Sequence, residues 1–253
     1  MKVLIKYFSG TGNTKLVSEL IRDILVNRDF VVEVSSIEET GTIESFDLLV
    51  IGGPIYAGNF PERLIRYIIR NVPRVEDKRA IVFSTSTGLI NAHGVLSASS
   101  KLHKKGFNVV SNKCFIMPRN YYFGHYFPMD DDYCKKLILD MKSQVGEFVE
   151  SIIQGSHTPP VIVEKGILSK DLLAELFSVM ARFMGKSYKA NEDYTLCMKC
   201  VKNCPQRNIA KKNEKIVFGF DCMMCTRCIH SCPANAIEYS GKTYKQYRLR
   251  NYS

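Results

Sequence analysis

The chain has no tryptophan and only five histidines. No stretch of about 18 uncharged apolar residues occurs, which excludes a helix long enough to cross a bilayer. The opening run, MKVLIKYFSG, is interrupted by Lys6 after three apolar residues and leads to no small-residue cleavage site. No secretory signal is read there, and a cytoplasmic protein is expected. His93, His103, His125 and His157 form no dyad with a nucleophile or carboxylate. No Ser-His-Asp set or hydrolytic metal site can be assembled, so no catalytic residue is assigned. What is present suits a folded protein: 45% of the 253 residues are apolar and 24% charged, enough for a sizeable core in one large or two small domains.

Two features are unevenly distributed. Of nine cysteines, Cys114 and Cys134 stand alone, read as buried thiols, and the other seven lie between Cys197 and Cys232. In a reducing compartment such a cluster indicates metal or redox chemistry rather than disulfides. The formal net charge of +10 also divides unequally, +2 over residues 1–165 and +8 over residues 166–253. Bound anionic cofactors would offset part of it, and the remaining basic surface favours an acidic partner protein through steering.

The first 150 residues alternate strand and helix signals. Apolar runs at Val3–Phe8, Phe30–Val34, Asp47–Gly53, Ala80–Ser84 and Phe107–Met117 predict five strands. Helical spacing predicts helices over Asn13–Asn27, Pro61–Arg70 (Pro in the first turn), Ala92–Lys104 and Asp132–Gln154, the last opened by Asp130, Asp131 and Asp132. The alternation implies an α/β fold with a doubly wound, five-stranded parallel sheet. A linker over Gly155–Lys165 leads to an amphipathic helix, Ile167–Met184, whose face of Leu168, Leu172, Leu176, Val179, Met180 and Phe183 is expected to pack between two domains. The domain division is thus 1–155, then linker and helix 156–189, a cysteine module 190–240 and a basic tail 241–253. The tail is expected to be solvated rather than nucleic-acid binding.

Where the first strand meets the first helix stands Ser9-Gly10-Thr11-Gly12-Asn13-Thr14. A helix N-terminus there favours an anion, the hydroxyls add donors, and the glycines let backbone approach phosphate. No Gly-Lys-Ser/Thr closes the loop, so it is not a P-loop, and it is not G-x-G-x-x-G. At the same predicted edge lie Gly52-Gly53-Pro54-Ile55-Tyr56-Ala57-Gly58 and Ser84-Thr85-Ser86-Thr87-Gly88. The string resembles the phosphate loop of flavodoxins. Over residues 1–150 that resemblance implies FMN binding, with the two later loops bracketing the isoalloxazine and Tyr56 stacking on it. Without an indole, Arg119-Asn120-Tyr121-Tyr122-Phe123 is the aromatic loop that either covers the ring or only packs.

The second motif is Cys222-Met-Met-Cys225-Thr-Arg-Cys228-Ile-His-Ser-Cys232-Pro233, a full C-x₂-C-x₂-C-x₃-C-P run. Upstream, Cys197-Met-Lys-Cys200-Val-Lys-Asn-Cys204-Pro205 repeats it without its first cysteine, and Tyr194 stands in the vacant place. In this spacing the fourth cysteine of each run serves the other cluster. Cys204, Cys222, Cys225 and Cys228 are therefore expected to hold a [4Fe–4S] cluster. Cys197, Cys200 and Cys232 are expected to hold a second cluster, either [3Fe–4S] or [4Fe–4S] with a non-cysteine ligand such as Tyr194, Glu192, Asp193 or water. A Cys₄ zinc site would leave Cys204, Cys228 and Cys232 unexplained. His230 is read as an exposed spacer.

The segment resembles a two-cluster bacterial ferredoxin, and the whole chain resembles the flavodoxin–ferredoxin fusion family. That resemblance implies an electron carrier passing electrons between FMN and the clusters and on to a redox partner protein. The alternative is an FMN-dependent oxidoreductase that reduces a small molecule such as a quinone or nitro compound.

Overall fold

The computed structural model describes residues 1–39, 45–88, 92–123, 126–155 and 167–252; of residues 92 and 167–174 it describes the backbone alone. The five apolar runs form one parallel sheet: β1 (Lys2–Tyr7), β2 (Val31–Ser36), β3 (Leu48–Pro54), β4 (Lys78–Ser86) and β5 (Phe107–Ile116). Their order is β2-β1-β3-β4-β5, so the chain reverses its winding between β1 and β3. Central strands must be apolar on both faces in such a sheet. β3 obliges, with Leu48, Leu49, Val50 and Ile51 all at most 1% exposed. Helices α1 (Asn13–Val26) and α4 (Asp131–Ile153) cover one face, packing Val17, Ile21, Met141 and Val145 against Val3, Ile5, Phe83 and Phe115. Helices α2 (Glu62–Asn71) and α3 (Ala92–His103) cover the other, with Leu64, Ile68, Ala98 and Leu102 against Leu4, Leu49 and Val82. Each fully buried large side chain contributes about 1.5–3 kcal/mol.

Element ends follow local chemistry. Asp130 caps α4, its carboxylate accepting from the N–H of Asp132 and Tyr133, both at 3.0 Å. Pro61 is the N-cap of α2 rather than a first-turn residue. The sheet matters for function because loops after β1, β3, β4 and β5 all emerge at its carboxyl edge, beside the point where the winding reverses.

Beyond α5 (Ile167–Met184) the chain forms a small second unit. β6 (Tyr188–Ala190) pairs antiparallel with β9 (Ile237–Tyr239), and β7 (Ile209–Lys212) with β8 (Lys215–Phe218). Helices α6 (Lys199–Asn203) and α7 (Arg227–Ser231) carry the two cysteine runs. The unit repeats itself at an offset of 28 positions. Left-handed residues recur at Leu196 and Met224, Met198 and Thr226, and Arg207 and Asn235. Tyr194 therefore stands at the backbone position that Cys222 occupies in the second copy.

Two expectations are corrected here. Leu176, Val179, Met180 and Phe183 of α5 are exposed, and among the described residues of that helix Phe177, Ala181 and Met184 pack into the second core. The helix buries a different stripe, one turned toward Ala181. The side chains of Leu168 and Leu172, and the linker from residue 156, lie outside the described residues. The C-terminal tail is anchored rather than frayed, although Lys242, Lys245 and Arg250 are exposed. Tyr247 is 2% exposed, and Leu249 and Tyr252 pack on the core between α1 and α4. Lys245 and Tyr252 both reach the Asp131 carboxylate, at 2.9 and 3.0 Å. The buried Tyr247 ring, the packing of Leu249 and Tyr252 and these hydrogen bonds together anchor the tail.

Candidate functional site

A cavity of about 470 Å³ lies at the carboxyl edge of the sheet, within the size range of small-molecule sites. Ser9, Gly10, Thr11, Asn13 and Thr14 line it from the first loop, Pro54 to Gly58 from the second, and Thr85, Ser86 and Thr87 from the third. Gly12, Ser84 and Gly88 do not. Gly12 is the left-handed N-cap of α1 with φ 112°. Ser84 is fully buried in β4, one residue out of phase with Thr85. Gly88 closes a turn on the Ser86 hydroxyl, which accepts from its N–H at 3.1 Å.

The loop's side chains are largely committed to shaping it. Ser9 Oγ accepts from the Gly12 N–H at 3.1 Å, and the Thr14 and Thr85 hydroxyls meet at 2.8 Å, tying the first loop to the third. Asn120 Nδ2 donates to Thr11 Oγ1. Asn13 donates to the Pro118 carbonyl at 3.0 Å and accepts from the Tyr247 hydroxyl at 2.6 Å. The backbone N–H groups of Thr11, Asn13, Thr14 and Lys15 meet no acceptor among the described residues. Together with the positive end of α1 they leave an anion-seeking floor. Tyr247→Phe should strip the buried Asn13 Oδ1 of its donor. Unfolding free energy is expected to fall by about 1–3 kcal/mol in urea denaturation, with weaker flavin retention in the same variant. Unchanged values for both would remove the tail from the site.

Residues 119–123 divide between the cavity and the second unit. Arg119, Asn120 and Tyr121 line the cavity, while Phe123 stacks on Tyr239 at 4.1 Å inside the second unit's core. Tyr56 lines the cavity too, its hydroxyl turned toward Gly10: a Cβ on Gly10 would lie 2.6 Å from Tyr56 Oη and 3.0 Å from the Cys225 carbonyl. Burial raises the Tyr56 hydroxyl well above its usual pKa.

The second unit forms the remaining wall, through Met224, Cys225 and Thr226, with Phe177 of α5 beside them. Sequence reasoning missed this wall and the side chain that secures it. Arg227 donates to the carbonyls of Ser9 at 2.6 Å and Gly10 at 3.0 Å, and to both oxygens of Glu38 at 2.7 and 3.1 Å. It also donates to the Asn203 carbonyl at 2.9 Å. The pair is about 80% buried on both sides. An arginine inside a metal-type run, two residues after a cysteine and far from any acid in sequence, was the available signal. His230 is a correction: it is 7% exposed, not an exposed spacer. Its Nδ1 accepts from the Tyr247 N–H at 2.9 Å, so Nε2 carries the proton and donates to the Asn120 carbonyl at 2.7 Å. Burial pushes its pKa down to about 4, and the ring is neutral.

The clustered cysteines do not all line one pocket. Cys204, Cys222, Cys225 and Cys228 surround a small pocket, although Cys204 belongs to the first run. Two of their sulfurs receive a backbone N–H, Cys204 from Asn208 and Cys222 from Met224, both at 3.3 Å. Burial pushes the thiols of Cys222 up to about 12 and Cys225 to about 11. In the other set Cys200 and Cys232 are buried and Cys197 is exposed. The Tyr194 hydroxyl lies 3.6 Å from Cys200 Sγ. Cys134 is buried as expected, while Cys114 is half-buried. Among the described residues no three Cys, His, Asp or Glu side chains gather closely enough to hold a single metal ion. Thiolates on one tetrahedral ion would stand about 3.8 Å apart, given bonds near 2.3 Å.

Comparison with known proteins bears on the first unit. The flavodoxin-domain family model matches residues 4–105. No curated protein matches the chain. Among solved structures it is similar to a flavodoxin from the domain Archaea, at 19% identity over 57% of this chain and 99% of that one, with a TM-score of 0.41. It is similar to oxidised Flavodoxin 2 from Bacillus cereus, at 19% identity over 61% of this chain and 99% of that one, TM-score 0.47. It is also similar to rubredoxin oxygen:oxidoreductase from Desulfovibrio gigas, at 14% identity over 59% of this chain and 36% of that one, TM-score 0.39. Among the described residues no helix is long and apolar enough to cross a membrane. The N-terminal part of the chain is thus a flavodoxin-like domain, and a cysteine-rich unit is seated on its loop edge.

Proposed function

We propose that the protein is an electron carrier in which the flavodoxin-like domain holds FMN and the seven clustered cysteines hold two iron–sulfur clusters. The observation that carries this reading is Cys225. It belongs to the four-cysteine set, and it is also part of the wall of the cavity whose floor is the phosphate loop. A flavin exchanges one or two electrons and an iron–sulfur cluster one at a time, so the pair converts between the two. The chain's own residues position them. Thr11 to Lys15 would hold the phosphate by backbone N–H groups, and Tyr56 and Tyr121 would flank the ring. The N–H donors on Cys204 and Cys222 favour sulfurs carrying negative charge. Thiols that burial holds neutral would ionise on binding iron, whose charge offsets their desolvation.

Cys197 and its neighbours form the outward end. Leu196, Cys197, Lys199, Lys202 and Lys212 are all exposed, within residues 166–253, which carry +8. That supports brief docking of an acidic redox protein, with electrons passing by way of the three-cysteine site. A second reading, reduction of a quinone or nitro compound at the flavin, is favoured by the aromatic rim of Tyr121 and Tyr126 on the same cavity.

Anaerobic purification with iron, sulfide and flavin quantified should give one FMN and about seven to eight irons per chain, with EPR signals on reduction. A colourless protein that takes up neither iron nor FMN would refute the reading. Steady-state turnover of a quinone and nitro-compound panel no faster than with free FMN is expected; faster turnover would favour the second reading.

A further inference from the structure

The pocket between the four cysteines is lined by two polar side chains that find no partner among the described residues. Tyr188 is 3% exposed and Asn208 is 8% exposed, and both line this pocket. Tyr188 Oη and Asn208 Nδ2 are buried without a hydrogen-bond partner. Neither is free to turn away. The Tyr188 ring is wedged between Phe218 and Tyr239, at centroid distances of 5.4 and 5.0 Å. The Asn208 amide is oriented by the Asp221 N–H, which donates to Oδ1 at 2.6 Å and leaves Nδ2 as the buried donor. Buried polar groups in folded proteins find partners, and a pair left over beside one pocket indicates an absent acceptor. Two donors facing four sulfurs call for an anion that accepts weakly and in several directions.

We propose that Tyr188 and Asn208 donate hydrogen bonds to the sulfurs of the [4Fe–4S] cluster held by Cys204, Cys222, Cys225 and Cys228, and thereby set its reduction potential above that of an otherwise equal site. The inference rests on the cluster reading given above. Hydrogen bonds to cluster sulfur stabilise the more negative, reduced state, so donors raise the potential. Both residues are positioning residues; neither ligates iron. They act on the cluster nearer the flavin cavity, which makes it the better electron acceptor from that side.

The test is an EPR-monitored redox titration of the anaerobically purified full chain, comparing wild type with Tyr188→Phe and Asn208→Asp. Tyr188→Phe keeps the ring and its stacking and deletes the hydroxyl. Asn208→Asp keeps the Oδ1 acceptor for Asp221 and replaces the donor with a charged acceptor. Each variant should move the midpoint of one EPR-distinct cluster downward, Asn208→Asp further, with the second cluster, iron, sulfide and flavin content unchanged. Resonance Raman should show an Fe–S band shift on transfer of the wild type to D₂O that shrinks in Tyr188→Phe. Superimposable titrations and unchanged isotope shifts would overturn the proposal while leaving the clusters in place. Loss of iron in both variants would also overturn it, making the two groups structural. A wild type lacking any cluster signal would instead remove the reading beneath it.

Discussion

Arg227→Ala is expected to loosen the contact between the two units and to slow electron exchange across it at least tenfold. One guanidinium spans four partners on both sides of the seam: the Ser9 and Gly10 carbonyls, the Glu38 carboxylate and the Asn203 carbonyl. Its side chain is 19% exposed and that of Glu38 22%, so water replaces little of what is lost. Breaking such a pair by removing one partner leaves a poorly solvated carboxylate, which costs about 3 kcal/mol. The melting temperature should fall by roughly 6–12 °C. Electron exchange suffers separately, because the arginine holds the backbone around Cys225 against the loop that would bind the flavin phosphate. Stopped-flow reduction, following flavin bleaching against cluster bleaching, reads this directly. Arg227→Lys should rescue little, since a single ammonium cannot span two carbonyls and a bidentate carboxylate. Equal rates in wild type and Arg227→Ala would show that the seam does not control transfer.

Cys204→Ala and Cys200→Ala lie four residues apart in one run, yet they are expected to destroy different clusters. Cys204 Sγ accepts from Asn208 N–H and borders the pocket of Cys222, Cys225 and Cys228. Cys200 lies instead beside Tyr194, with its charge coupled to Cys232 and Cys197. Cys204→Ala should lose about four irons per chain together with the EPR signal that Cys228→Ala also loses. Cys200→Ala should lose the other signal, with FMN retained in both. A shared loss would place both residues on one cluster and reject the crossed assignment. These two experiments separate the roles of the seam and the ligand sets, since Arg227→Ala leaves every thiol in place.

Much of this architecture was legible in the sequence because it rests on local patterns. β3 had to be a central strand: Leu48 to Ile51 are apolar at every position, which only a strand buried on both faces tolerates. The Ser9–Thr14 string declared an anion site through chemistry and position alone. The spacing of Cys222, Cys225, Cys228 and Cys232, and its echo from Cys197 to Cys204, declared two linked sets with one ligand short. The 28-residue repeat of left-handed positions gives that echo its structural counterpart.

What the sequence alone determined was therefore carried by local pattern: the alternating strands and helices of the sheet domain and the hydroxyl-rich loop after its first strand. Only the tertiary structure decided how the units face each other. His230 is polar and so reads as exposed, but an acceptor and a donor more than a hundred and about seventeen positions away satisfy both ring nitrogens and bury it. The tail's basic residues read as solvated, but Tyr247 and Leu249 find the phosphate loop and the core beneath it. The α5 face reads as buried, yet the neighbouring unit is placed against its other side. Tyr188 and Asn208 carry no local signature, and the place of Arg227 in its cysteine run does not name its partners, because a hydrogen bond between distant segments depends on where the chain returns, and periodicity records only which face of an element is apolar.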